Sequence, residues 1–156
     1  MVFKYEIEYG NFLDKFLGNV TEEDFIWHID LKDDDVLTWN ETDDYSVIGR
    51  KWLFNKEDYT AEEFINLIKV NNTYAISCNI QIYKNNGIKN IDKDKSFLDN
   101  DFEVKIIIID NMFIQVYYNN EQIAEILKNN LNQLGAEEID FKIMGNWYHD
   151  LLNDNK

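Results

Sequence analysis

Apolar and polar residues alternate along several stretches of this chain, and a period of two is typical of strands with one buried face. The clearest stretch is TYAISCNIQIYK at residues 73–84, where every second residue from Tyr74 to Ile82 is predicted to share one face. The near-continuous apolar run VKIIIID at 104–110 predicts a strand at the centre of the sheet. Shorter stretches predict further strands at residues 3–8, 25–32, 36–40, 45–54, 112–118 and 139–143.

Other segments place apolar residues three or four positions apart, which is the spacing of an amphipathic helix. TAEE at residues 60–63 has the form of a capping box and predicts a helix start. Glycines at positions 18 and 135 predict the ends of two other helices. We therefore predict helices at residues 9–17, from 60 onward, at 120–134 and, as a short terminal helix, at 146–152.

The predicted strands are mostly joined by connections too short for parallel crossovers, which indicates a largely antiparallel sheet. We predict an α+β fold in which a sheet of about eight strands carries three to four helices, mainly on one face. The chain has 156 residues and no proline, and no linker interrupts it. A single globular domain over residues 1–156 is therefore predicted.

The most unusual stretch is DLKDDDVLTWNETDD at residues 30–44, which holds seven carboxylates in fifteen positions. The whole chain has a net charge of −15, and residues 21–44 alone carry ten acidic residues and one basic residue. Such a surface repels nucleic acids, anionic membranes and acidic substrates, and it attracts cations and basic proteins. The aspartates at 33–35 are predicted to form the turn of a hairpin, with a return strand at 36–40.

Calcium-binding loops need oxygen ligands at alternating positions and a glycine at the sixth. Over residues 30–41, Lys32 would occupy a ligand position and Asp35 the position of the glycine. Over residues 92–103 the acids are better spaced, but Phe97 stands where the glycine is required. We therefore predict no metal site in either stretch.

Nucleophilic and transition-metal chemistry also find little support in the sequence. Cys78 lies on the apolar side of its predicted strand, which indicates a core residue. His28 and His149 belong to no zinc-binding motif, so we interpret both as surface or hydrogen-bonded histidines. These observations predict no catalytic residues and no cofactor, and they favour a non-enzymatic protein.

The sequence also bears on location. One cysteine cannot form an internal disulfide, and the amino terminus has acids where a signal peptide has an apolar run. The longest purely hydrophobic stretch is the four isoleucines at 106–109, too short to cross a bilayer. We expect a soluble, cytoplasmic protein and leave its oligomeric state open.

The acidic stretch is interpreted as a binding surface for a basic protein partner. An immunity-type inhibitor of a cationic toxin or nuclease is the sharpest version of this hypothesis. Carboxylates would supply the electrostatic field and a tryptophan would anchor the interface. The predicted binding residues are Asp30, Asp33, Asp34, Asp35, Trp39, Glu41, Asp43 and Asp44.

Three alternatives stay open from the sequence. A DNA mimic would inhibit a nucleic-acid-binding defence protein and would need two rows of acids along an elongated face. A small enzyme or ligand-binding domain would use a cleft over the sheet, with a strongly shifted carboxylate in it. In the third alternative the charge serves only solubility.

Three stretches resemble a family of uncharacterised proteins from Bacillus and its relatives, domain of unknown function family 2691. They are YGNFLDKFL at 9–17, FIWHI at 25–29 and SFLDNDFEVKIIIIDNMFIQVYYNNEQI at 96–123. The last has the family's apolar run ending in Asp, followed by an aromatic-rich strand and a polar helix start. The resemblance implies a small bacterial α+β domain and gives no residue a role.

Overall fold

The computed structural model describes residues 1–8, 10–32, 34–38, 51–70, 72–85 and 102–140. Most of the strand predicted at 45–54 lies outside these residues. The same is true of most of the strand predicted at 139–143 and of the terminal helix predicted at 146–152.

Nine strands and three helices are formed within the described residues. In chain order they are β1 (Val2–Lys4), α1 (Phe12–Leu17), β2 (Phe25–Ile29), β3 (Asp35–Thr38), β4 (Lys51–Trp52), β5 (Asp58–Thr60), α2 (Ala61–Val70), β6 (Thr73–Lys84), β7 (Val104–Ile109), β8 (Phe113–Tyr118), α3 (Glu121–Leu134) and β9 (Glu137–Glu138).

The strands form one sheet in which every described pairing is antiparallel. The strand order is β4-β3-β6-β7-β8-β1-β9, and β2 joins it by pairing with β6 and with β5. The long strand β6 and the apolar strand β7 lie at its centre, as the sequence predicted. The α+β fold with a largely antiparallel sheet is therefore confirmed.

The predicted hairpin at Asp33–Asp35 is wrong. β2 and β3 both run antiparallel to β6 along the same edge, so the chain continues in one direction instead of reversing. Ile29 pairs with Ile80 and Asp35 pairs with Ser77. The chain therefore advances six residues from Ile29 to Asp35 while β6 advances only three residues opposite it. The chain between Ile29 and Asp35 thus has three residues more than the facing part of β6, and we call its described residues, 30–32 and 34, the bulge.

One face of the sheet carries the core and the helices. Core residues of β6 and β7 alternate along each strand, as Cys78, Ile80 and Ile82 do on β6, and all three helices pack on this face. The capping box is confirmed: the Glu63 backbone N–H donates to Thr60 Oγ1, and the Thr60 N–H donates to Glu63 Oε2. Among the described residues no helix is long and apolar enough to span a membrane.

The predicted alternation along β6 holds only for its second half. Cys78, Ile80 and Ile82 are buried in the core, but toward the start of the strand the core residue is Ala75 in place of Tyr74. The pairing register with β3 shifts between Asp35 and Val36, which adds one residue on β6 at this point. The irregularity therefore reverses which residues of the first half face the core.

Candidate functional site

Three of the eight predicted binding residues lie in the described part of the chain: Asp30, Asp34 and Asp35. The other five, Asp33, Trp39, Glu41, Asp43 and Asp44, lie outside the described residues, so their role stays a prediction.

Short-range hydrogen bonds shape the bulge between β2 and β3. The backbone N–H of Lys32 donates to Asp30 Oδ1 at 3.1 Å, and that of Val36 donates to Asp34 Oδ1 at 3.3 Å. In both bonds the aspartate side chain accepts from the backbone N–H two residues ahead. Aspartate readily forms this arrangement in turns. The Asp30 N–H also donates to the Asn79 carbonyl oxygen at 3.1 Å, which ties the start of the bulge to β6. Two of the aspartates therefore have a structural role at their own positions.

The bulge borders a cavity of about 590 Å³ at the surface of the sheet, which we call the acidic groove. Asp35 lies beside Ser77 and Trp52 lies beside Leu37 in the strand pairings, so the groove crosses from the outer strand β4 to the centre of the sheet. Its lining residues are Lys32, Asp34, Asp35, Trp52, Ser77, Cys78, Asn79, Ile107, Ile108 and Ile109.

The carboxyl group of Asp34 is the electrostatically unusual group of the groove. Burial raises its pKa from 3.8 to about 7. The backbone N–H of Val36 opposes this shift, and the neighbouring charge of Asp35 adds to it. Within the described residues neither carboxylate has an ion pair. The groove thus holds two close acids that form no ion pair with Lys32, the lysine among its described lining residues.

Trp52 is 60% exposed although it is a large aromatic residue. Trp27, on the same edge of the sheet, is fully buried and stacks on Phe64 with ring centroids 4.1 Å apart. Exposed tryptophans beside charged residues are typical of interface anchors. The sequence predicted Trp39 as the anchor, and no pattern in it indicated that Trp52 would line the groove.

Asn79 contributes a polar atom without a partner. Its Oδ1 is buried and accepts no hydrogen bond. Most buried side-chain oxygens accept at least one hydrogen bond, and leaving one unpaired costs about 1–3 kcal/mol. Asn79 pairs with Ile107 in the sheet and is one of the residues that line the groove. Because Oδ1 itself has almost no exposed surface, it is not available to a donor in the groove.

The interpretation of His28 as a hydrogen-bonded residue is confirmed. Its Nδ1 lies 2.7 Å from Asp58 Oδ1, and the residue is 7% exposed. Cys78 is buried in the core, and burial raises the pKa of its thiol, so it stays protonated and unreactive at neutral pH. Among the described residues no group of His, Cys, Asp and Glu side chains has the arrangement of a metal site.

Comparison with known proteins gives two matches. The profile of a family described as "Protein of unknown function (DUF2691)" matches residues 1–150. An uncharacterised protein from Bacillus subtilis (strain 168), YncE, is 27% identical over 143 residues, which cover 89% of this chain and 88% of YncE. No solved structure matches the chain.

Proposed function

We propose that this chain, which belongs to the family of proteins of unknown function described above, is an acidic, non-enzymatic binding protein for a basic protein partner. Its relatives supply no activity for it. An immunity-type inhibitor of a cationic toxin or nuclease is the specific form of the proposal. It includes a cytoplasmic location, which the free, buried thiol of Cys78 supports.

The observation that carries the proposal is that carboxyl groups without a described ion pair lie in the same groove as an exposed aromatic side chain. Asp34 and Asp35 line the same groove as Trp52, whose side chain is mostly exposed. A tryptophan can supply contact area, while the carboxylates accelerate encounter with a cationic partner. Asp34 and Asp35, the described acids that line the groove, lie side by side, whereas a DNA mimic needs two extended rows of acids.

The test begins with affinity capture from a lysate of the source organism. Captured proteins are washed at rising salt concentration and identified by mass spectrometry, and the candidate partner is then purified. We expect a basic protein whose association rate with the wild-type chain falls steeply with ionic strength. Identified partners that are acidic or neutral would contradict the proposal.

The decisive measurement is the association rate of charge variants with that purified partner. The double variant Asp30→Asn/Asp35→Asn should associate several-fold more slowly at low salt, because two charges of the patch are lost. The matched control is Glu22→Gln/Glu62→Gln, which removes the same charge from two exposed glutamates at the other end of β2 and on α2. Equal rates for the two double variants would show that the acidic groove is not the docking surface.

A small ligand-binding domain or enzyme is the second candidate, and one observation favours it. A carboxyl with a pKa of about 7 in a groove of about 590 Å³ has the properties of a general acid or base. A small molecule whose binding or turnover is lost in Asp34→Asn, while association with the basic partner is unchanged, would favour this candidate.

A further inference from the structure

The acidic groove combines three kinds of surface at its described lining residues. Ile107 and Ile109 are partly exposed and supply an apolar surface from β7. Trp52 supplies an aromatic face at the outer edge of the sheet. Asp35 supplies a carboxylate that accepts hydrogen bonds, and the carboxyl group of Asp34 lies next to it. A matching ligand needs a positive charge, several donors and an aliphatic segment.

Arginine fits this combination better than lysine. Its planar guanidinium group presents five N–H donors and stacks on aromatic rings, so it can contact a carboxylate and an indole together. A lysine ammonium is a compact, strongly hydrated charge that makes fewer directed contacts. The aliphatic part of an arginine side chain would lie along the isoleucines, as long cationic side chains commonly do on apolar surface.

Charge complementarity identifies the source of this side chain. The groove lies in the most acidic region of a chain with net charge −15, and among the described residues its two carboxylates have no ion-pair partner. Lys32 lies at the groove but pairs with neither of them. Among the described residues, Asp35 therefore has no ion pair that a cationic side chain of a partner would have to displace.

We propose that the acidic groove binds the guanidinium group of one arginine side chain of the basic partner, with Asp35 accepting its hydrogen bonds and Trp52 stacking on it. This inference rests on the proposed function and assigns to it one anchoring contact. Asp34 lies beside the contact, and the isoleucines of β7 contact the methylene groups.

The first experiment is an NMR titration of the full-length, ¹⁵N-labelled protein with three probes. These are the N-acetyl methylamides of arginine, lysine and citrulline, the last being a neutral analogue of arginine. We expect a dissociation constant on the order of millimolar for the arginine probe. The lysine probe should bind roughly threefold or more weakly, and the citrulline probe should cause no shifts. The arginine probe should shift the side-chain signals of Asn79 and Trp52.

Two variants test the assigned contacts. Trp52→Ala and Asp35→Asn should each weaken binding of the arginine probe by roughly threefold or more. Glu22→Gln, the matched control, should bind it as the wild type does. Equal affinity for the arginine and lysine probes, or unchanged affinity in both variants, would overturn the proposal.

The same variants measured against the captured basic partner separate the two levels of the hypothesis. If the partner binds in a salt-dependent way and Trp52→Ala retains full affinity, the arginine contact is wrong while the proposed function stands. If the chain associates with no basic protein, both are wrong. A loss of partner affinity in Trp52→Ala that parallels its loss for the arginine probe would support both.

Discussion

The two halves of the edge formed by β2 and β3 use similar residues in opposite ways. In the β2 half, Trp27 is buried against Phe64, and Asp58 on the neighbouring strand binds His28 at 2.7 Å. In the β3 half, Trp52 on the neighbouring strand is 60% exposed, and Asp35 has no ion pair among the described residues. In each half, a tryptophan and an acid therefore lie on the edge strand itself or on the strand next to it.

The difference between the halves teaches where to search for function in an acidic protein. In the β2 half, the Trp27 ring stacks on Phe64 and Asp58 contacts His28, so both stabilise the fold, although the buried Nε1 of Trp27 has no hydrogen-bond partner among the described residues. In the β3 half, Trp52 is mostly exposed and Asp35 has no ion pair among the described residues, while burial raises the pKa of Asp34. An exposed aromatic ring beside carboxyl groups without ion pairs therefore indicates a candidate binding surface better than charge density alone does.

The largest expected effect concerns the two tryptophans. Trp27→Ala should lower the free energy of unfolding by about 3–5 kcal/mol, because it removes a fully buried ring and leaves a cavity. Trp52→Ala should change it by no more than about 0.5 kcal/mol, because the ring is mostly exposed. Urea denaturation of both variants measures the contrast. Similar losses in the two variants would mean that the halves do not differ as described.

The next effect concerns Asp34 and pH. Because its pKa is raised to about 7 in the folded protein, the folded state retains this proton more readily than the unfolded state does. The stabilisation of the folded state by the Asp34 proton is fully present below about pH 4 and is lost as pH rises toward 7. The loss should be about 1–2 kcal/mol, after allowance for solvent screening of a partly exposed group.

Asp34→Asn measures this contribution, because an amide does not titrate. The difference in unfolding free energy between this variant and the wild type should shift in favour of the variant between about pH 4 and 7. Glu22→Gln, which removes one charge from an exposed position, is the matched control. A pH-independent difference for Asp34→Asn would contradict the raised pKa.

The smallest effect compares one acid from each half. Asp58→Asn should lower stability by about 0.5–1.5 kcal/mol, because the hydrogen bond to the buried ring of His28 is weakened. Asp35→Asn should be neutral or stabilise by a few tenths of a kcal/mol, because it relieves repulsion with Asp34. Thermal unfolding of both variants at pH 7.5 provides the comparison, and destabilisation by Asp35→Asn would show that this carboxylate has an internal role.

Much of the fold was predictable because it depends on local patterns. The capping box at Thr60, the strand ending at Lys84 and the helix closed by Gly135 each follow from residues close in sequence. The burial of Cys78 followed from its place in an alternating strand. Such features need only propensity and periodicity, which a single sequence contains.

The hairpin prediction failed for a physical reason. A run of aspartates between two strands is compatible with a reversal or with a bulge, and long-range pairing decides between them. Here both Ile29 and Asp35 pair with β6, which lies more than forty residues further along the chain. The contribution of Trp52 and Asn79 to the acidic groove depends on the same pairings, so the sequence identified the acids and missed their neighbours.

At the bulge between β2 and β3, the topology of the sheet does not depend on the length of the connecting segment. In a hairpin, the loop must reverse the chain, so its length and turn type set the register of both strands. Here the chain leaves β6 and returns to the same edge in the same direction, with three residues more than the partner strand requires. The segment is thus a point where the number of residues between two strands can change without altering strand order. A residue added here would leave the pairings of Ile29 and Asp35 with β6 in place.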